Sequence, residues 1–149
     1  MALKNQIDQD IKSAMLAKDQ ARLRSLRAIK SAILIAETEK NAGVFDEKSE
    51  IKVLQRLVKQ RKESAEIYQQ QNRPDLFSIE KEEQEIIEKY LPKQLSREEI
   101  KKVILEIVEK NGATSVKDIG KIMGLANNVL AGKADGKTIS EIVKEVLSA

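Results

Sequence analysis

Ser96–Gly112, SREEIKKVILEIVEKNG, carries the start, body and end of one helix. Ser96 followed three residues later by Glu99 is a capping box, in which hydroxyl and carboxylate satisfy the first free amides of a helix. Ile100, Val103, Ile104, Ile107 and Val108 then recur at spacings of three and four, which puts them on one face. Asn111-Gly112 supplies the left-handed stop that ends many helices.

The same pattern extends outward in both directions. Downstream, Ser115 to Asp118 repeats the capping pattern before a sixth helix carrying Val116, Ile119, Ile122, Met123 and Leu130. A turn over Gly132–Gly136 follows. Thr138 with Glu141 caps a seventh helix holding Ile142, Val143, Val146 and Leu147. Upstream, Leu91-Pro92 ends a fourth, acidic helix running from about Ser78 to Tyr90, with Ile79, Ile86, Ile87 and Tyr90 as anchors. Asn72-Arg73-Pro74-Asp75 separates it from a third helix, about Lys48 to Gln70, because proline lacks a donor and disfavours helix at the residue before it. The third helix has the track Leu54, Leu57, Val58, Arg61, Ala65 and Tyr68. A second helix, capped by Asp19, has Leu23, Leu26, Ile29, Ile33 and Ala36, and it fades before Gly43. A first has Leu3, Ile7, Ile11, Ala14 and Met15.

The fold class expected is therefore all-α. Residues 1–92 read as an N-terminal domain of about four helices built on helical hairpins, and residues 96–149 as a C-terminal three-helix bundle. Pro92–Leu95 is the boundary, and cleavage is expected there and at Gly43–Lys48, where periodic apolar residues are missing.

Composition narrows the chemistry. Among 149 residues there is no Cys, His or Trp, so disulfides, thiolate chemistry and the commonest acid/base and metal ligand are absent. No metal and no cofactor are expected. Lys, Ser and carboxylates can still catalyse, yet no nucleophile or cofactor loop stands at a recognisable spacing, so the isolated chain reads as a non-enzyme. The opening MALKNQIDQDIKS lacks the pattern of a signal peptide, and no run of 18 apolar residues exists, so a cytoplasmic protein without membrane contact is expected.

Charge is distributed unevenly. Lys18 to Lys30 holds five basic residues against one acid, and Lys52 to Lys62 holds five against none. Such clusters attract polyanions by counterion release, although the same pattern also arises in solvated helix faces. The candidate nucleic-acid contacts are Arg24, Arg27, Lys30, Lys52, Arg56, Lys59 and Lys62, joined by Lys121, Lys133 and Lys137 near the last two helices. A short loop between the second and third helices favours an antiparallel pairing that sets the first seven side by side. Glu80, Glu82, Glu83, Glu85 and Glu88 point to several faces and read as solvated. Gly120 and Gly124 read as a close helix–helix contact, since no Gly-Lys-Ser/Thr ending accompanies them. Arg61 alone breaks an apolar track, and the structural reading is a salt bridge to the acidic helix through Glu80 or Glu83. The competing reading is a direct ligand contact.

Lys59-Gln60-Arg61-Lys62-Glu63-Ser64-Ala65-Glu66-Ile67-Tyr68, followed by Arg73-Pro74-Asp75-Leu76, resembles the signature of the YqeY family. So do Tyr90-Leu91-Pro92-Lys93-Gln94-Leu95, Gly112-Ala113, Asp118-Ile119-Gly120-Lys121-Ile122-Met123 and Gly132-Lys133-Ala134-Asp135-Gly136-Lys137. The likeness runs from about Leu3 to Leu147 in the family's order. Asn72 stands where many members have Gly, and Lys133 where many have Arg. The family is similar to the C-terminal tail of the B subunit of the aspartyl/glutamyl-tRNA amidotransferase, where the chemistry belongs to other domains and the tail helps grip tRNA. The resemblance implies a tRNA-binding accessory protein in translation, whose partners are tRNA and an amidotransferase or aminoacyl-tRNA synthetase, with no DNA specificity. Two other readings stand beside it: a protein-interaction module docking on an amidotransferase, a synthetase or the ribosome, and a component of a carbon–nitrogen ligase that uses glutamine as amido-nitrogen donor. Few aromatics favour reading RNA by shape and backbone over base stacking.

Overall fold

The computed structural model describes residues 2–39, 43–112 and 115–148, so Ala113 of the family-like motif lies outside the described residues. These residues form seven α-helices and one short 3-10 turn, with no strand among them. The chain divides into two compact units, Met1–Leu91 and Pro92–Ala149.

In the first unit, α1 (Ala2–Leu16) and α2 (Gln20–Thr38) form one antiparallel pair, fixed in register by Lys4 to Glu37 at 3.1 Å and Lys30 to Asp8 at 2.7 Å. The turn between them has Lys18 in the left-handed region at φ 57, and the Asp19 carboxylate then accepts from the Arg22 amide to start α2. Helices α3 (Glu47–Gln70) and α4 (Pro74–Glu88) form a second pair. The Asp46 carboxylate caps α3 through the Ser49 amide at 3.0 Å. Asn72 adopts φ 55, a conformation asparagine tolerates better than most side chains, so the turn forms without glycine. Proline then sits in the first turn of α4, where its missing donor costs nothing, and the helix begins four residues earlier than its apolar spacing suggested. Ile7, Leu26, Ile29, Ile33, Leu54 and Ile87 make the fully buried heart of this unit. Met15 and Ile79, expected inside, are 55% and 41% exposed. Tyr90 closes the unit by donating its hydroxyl proton to Asp10 at 2.5 Å, and burial together with that bond pushes its pKa up to about 12.

In the second unit, α5 (Arg97–Asn111) shows both halves of the capping box at Ser96 and Glu99. Gly112 ends it at φ 62, and a Cβ there would meet nothing within 4 Å, so glycine is required by the backbone angle and not by space. A 3-10 turn, Val116–Asp118, leads into α6 (Ile119–Val129), and α7 (Gly136–Ser148) completes a three-helix core around Ile104, Ile122, Leu130, Ile142 and Val143. Val116, expected in that core, is 54% exposed. The α7 cap also differs from expectation: the Asp135 carboxylate, not Thr138, accepts, taking the Thr138 amide proton at 2.7 Å.

Pro92–Leu95 is part of this unit. The Leu95 amide donates to the Lys133 carbonyl at 2.9 Å, and the Gln94 amide group donates to the carbonyls of Pro92 and Gly132 at 2.8 and 2.7 Å. Leu95 also packs on the core.

Candidate nucleic-acid interface

The seven basic candidates of the first unit all stand on exposed positions of α2 and α3. On α3, Lys52, Arg56 and Lys59 project away from the face that buries Val53, Leu54, Leu57 and Val58. The expected α2–α3 hairpin is the minor contact: α3 packs chiefly on α4, and α2 on α1 and α4. The reason is local. The tight Gln71–Arg73 turn returns α4 directly along α3, whereas the connection from α2 to α3 is longer.

Carboxylates partner several of these cations. Lys30 lies 2.7 Å from Asp8, whose carboxyl that bond holds below its usual range. Arg24 lies 3.6 Å from Glu83, and Lys62 lies 4.0 Å from Glu88, which also accepts from Gln84 at 3.0 Å. Lys59 has only the same-helix Glu63 at 4.0 Å, with both side chains well exposed. Among the described residues no carboxylate lies within 4.0 Å of Arg27, Lys52 or Arg56.

Arg61 stands in the ion pair that its place on the apolar track suggests. Its side chain is 16% exposed, with Nε 3.9 Å from Glu83 Oε2 and Nη1 donating to the Leu57 carbonyl at 3.4 Å. Glu83, itself 14% exposed, thus faces Arg61 with one oxygen and Arg24 with the other, between α2, α3 and α4, in ion pairs too long for a hydrogen bond from the buried Arg61 Nε. Nearby Glu80 has its carboxyl raised by burial and by the charge of Glu83, with Arg61 opposing the shift. The oddity of Arg61 was visible in the sequence. The compensating carboxylates Asp8 and Glu88 were not, because only the tertiary register brings them to Lys30 and Lys62; Glu63 alone carried a local signal, four residues from Lys59.

In the second unit Lys121, Lys133 and Lys137 are all exposed. Lys133 sits on the turn whose backbone Gln94 and Leu95 hold, and Lys137 lies in the first turn of α7, which contains no acid. A cation there opposes the helix dipole. Gly120 and Gly124 do not make the expected helix contact: both lie on the exposed side of α6, and an added Cβ would meet nothing within 4 Å at either. The α6 face that packs is the one carrying Ile122 and Ala126. Among the described residues no three His, Cys, Asp or Glu stand together as a metal-holding group.

The family model described as Yqey-like protein matches residues 4–147. The chain belongs to the YqeY family. Among curated proteins it is similar to altered inheritance of mitochondria protein 41, mitochondrial, of several yeasts. The Clavispora lusitaniae protein is 38% identical over 87% of this chain and 77% of its own length. That of Kluyveromyces lactis is 33% identical over 89% and 69%, and that of Saccharomyces cerevisiae (strain YJM789) is 30% identical over 77% and 65%. The chain thus spans about two thirds to three quarters of these relatives.

Those names overturn the expectation of a cytoplasmic YqeY protein, because the relatives are mitochondrial by name. The expectation rested on missing signals, and a missing signal does not identify a compartment. Among the described residues no helix is long and apolar enough to cross a membrane.

Proposed function

We propose that this YqeY protein is an RNA-binding accessory factor that grips tRNA, or an RNA of tRNA-like shape, through its sugar–phosphate backbone. The observation that carries the reading is a set of exposed cations on helices, Lys52 and Arg56 on α3 and Arg27 on α2, that have no carboxylate within 4.0 Å among the described residues. Cations fixed on a rigid element neutralise phosphates and release counterions, and that term is independent of sequence. The four aromatic residues support backbone reading, since base-stacking readers rely on aromatic platforms. The family's likeness to the tail of the amidotransferase B subunit supports tRNA as the ligand, with the chemistry residing elsewhere. The mitochondrial names of the relatives support an organellar tRNA pool as the first one to test.

The test is a mobility titration of the purified chain with mitochondrial and total tRNA across a salt series. Binding should weaken linearly in the logarithm of salt concentration, by about 0.7–0.9 per phosphate neutralised. A chain that ignores tRNA at low salt, yet captures an amidotransferase or synthetase after nuclease treatment, is a protein-docking module and not an RNA binder.

A further inference from the structure

Most of the candidate cations of the first unit fall into two sets, those with a carboxylate from another helix beside them and those with no carboxylate within 4.0 Å among the described residues. Arg24, Lys30 and Lys62 lie 3.6, 2.7 and 4.0 Å from Glu83, Asp8 and Glu88, each carboxylate on a different helix from its cation. At such distances cation and carboxylate act together as a dipole, and beyond the Debye length of about 8 Å at physiological salt little of it is felt. A phosphate that displaced one of these carboxylates would leave it unpaired beside another anion. For Glu83, 14% exposed and also facing Arg61, that exchange would strip charge from the junction of three helices. Arg27, Lys52 and Arg56 carry no such compensation among the described residues, and all three are exposed. Lys52 and Arg56 stand one turn apart on α3, about 6 Å along the axis. That is comparable to the step between neighbouring phosphates of one strand.

We infer that, of the seven candidates, Arg27, Lys52 and Arg56 contact phosphate, while Arg24, Lys30 and Lys62, equally basic in sequence, hold the helices of this unit together. The ligand class is a strand of phosphodiesters or phosphates. This rests on the RNA reading only for the identity of the strand. Lys59, whose partner Glu63 lies on the same helix with both side chains well exposed, belongs to neither set.

The experiment compares two charge-matched variants of the full chain. One is Arg27→Gln/Lys52→Gln/Arg56→Gln and the other Arg24→Gln/Lys30→Gln/Lys62→Gln. Each is titrated with tRNA and with inorganic polyphosphate over a salt series, with thermal unfolding recorded alongside. The first should lower the logarithmic salt slope by about 2–3, at 0.7–0.9 per lost contact, and leave the melting temperature unchanged. The second should keep the parental slope and melt earlier. Should the second variant fail to fold, Lys52→Gln/Arg56→Gln against Lys30→Gln/Lys62→Gln makes the same comparison without touching Glu83. Equal loss of slope in both members of a pair overturns the partition. Binding of polyphosphate with this partition, without binding of tRNA, upholds it and overturns the RNA reading. A parent chain that binds neither overturns both.

Discussion

Glu83 shows how much a single carboxylate decides here. Without it, Arg61 would sit at 16% exposure on α3 with its direct ion pair gone and only the charge of nearby Glu80 to answer it, and Arg24 would count as one more surface cation. Removing one member of a buried pair commonly costs about 3–5 kcal/mol because the other charge stays desolvated, whereas an exposed partner is worth about 1 kcal/mol or less. Glu83→Gln should therefore destabilise the protein by about 2–4 kcal/mol, reduced from the buried limit because both groups keep some contact with water. Arg24→Gln, at 45% exposure, should cost no more than about 1 kcal/mol. Urea unfolding midpoints with unchanged m-values measure both; equal costs would mean that Arg61 does not depend on Glu83. At this scale the sequence was half legible. Arg61 announced itself by interrupting an apolar track. Lys18 did not, because its left-handed φ of 57 follows from the geometry of the α1–α2 turn and no glycine marks it.

Apolar spacing locates all seven α-helices of the described residues but not the 3-10 turn before α6, and the other differences fall at helix ends and on outward faces. Periodicity cannot see Pro74 or Asp75, so α4 appeared shorter than it is. It cannot tell which of Asp135 and Thr138 takes the first free amide of α7. Two glycines four apart look alike whether they touch a neighbour or solvent, which is why Gly120 and Gly124 were misjudged. The Ser96–Glu99 capping box is legible in the sequence and forms as such, and helix caps of this kind bring a pH dependence. Bonds from Ser96 hold the Glu99 carboxyl below its usual 4.5, and bonds from Ser49 hold Asp46 below 3.8. A carboxyl depressed by folding contributes stability that is present above its unfolded pKa and lost as pH falls through the folded one. Buried Glu50 has the opposite sign: burial raises its carboxyl, so its ionisation costs stability at neutral pH, and the cost is relieved as pH falls through the raised value. Glu50→Gln should therefore raise stability at pH 7 and leave it unchanged near pH 4, while Glu99→Gln should lower it at pH 7 and converge with the parent in stronger acid. Denaturant midpoints across that range check the crossing; parallel curves would remove ionisation as the cause.

Across the whole molecule, two cores stand on separate stretches of chain, Met1–Leu91 and Pro92–Ala149. Pro92 to Leu95 read in the sequence as a connection because they lack apolar periodicity. Periodicity, however, reports only helical packing. The strap is held by backbone and amide hydrogen bonds to Gly132 and Lys133 and by one leucine on the core, none of which leaves a periodic trace. Its contribution should appear in fragments. A fragment beginning at Pro92 keeps the Leu95 amide bond, both bonds from Gln94 and the Leu95 contact; one beginning at Ser96 keeps the capping box and all three helices but loses the strap. Hydrogen bonds of this kind are worth about 0.5–1.5 kcal/mol each, and a partly buried leucine adds about 1 kcal/mol. Counting the two bonds that reach Gly132 and Lys133 with the leucine, the difference is about 2–4 kcal/mol, a large part of the stability available to a domain near 60 residues. The longer fragment should melt cooperatively by circular dichroism, and the shorter should melt far earlier or be unfolded at room temperature. Gln94→Ala in the longer fragment should fall between them. Identical melting of the two fragments would make Pro92–Leu95 a passive linker and return the start of the second unit to Ser96.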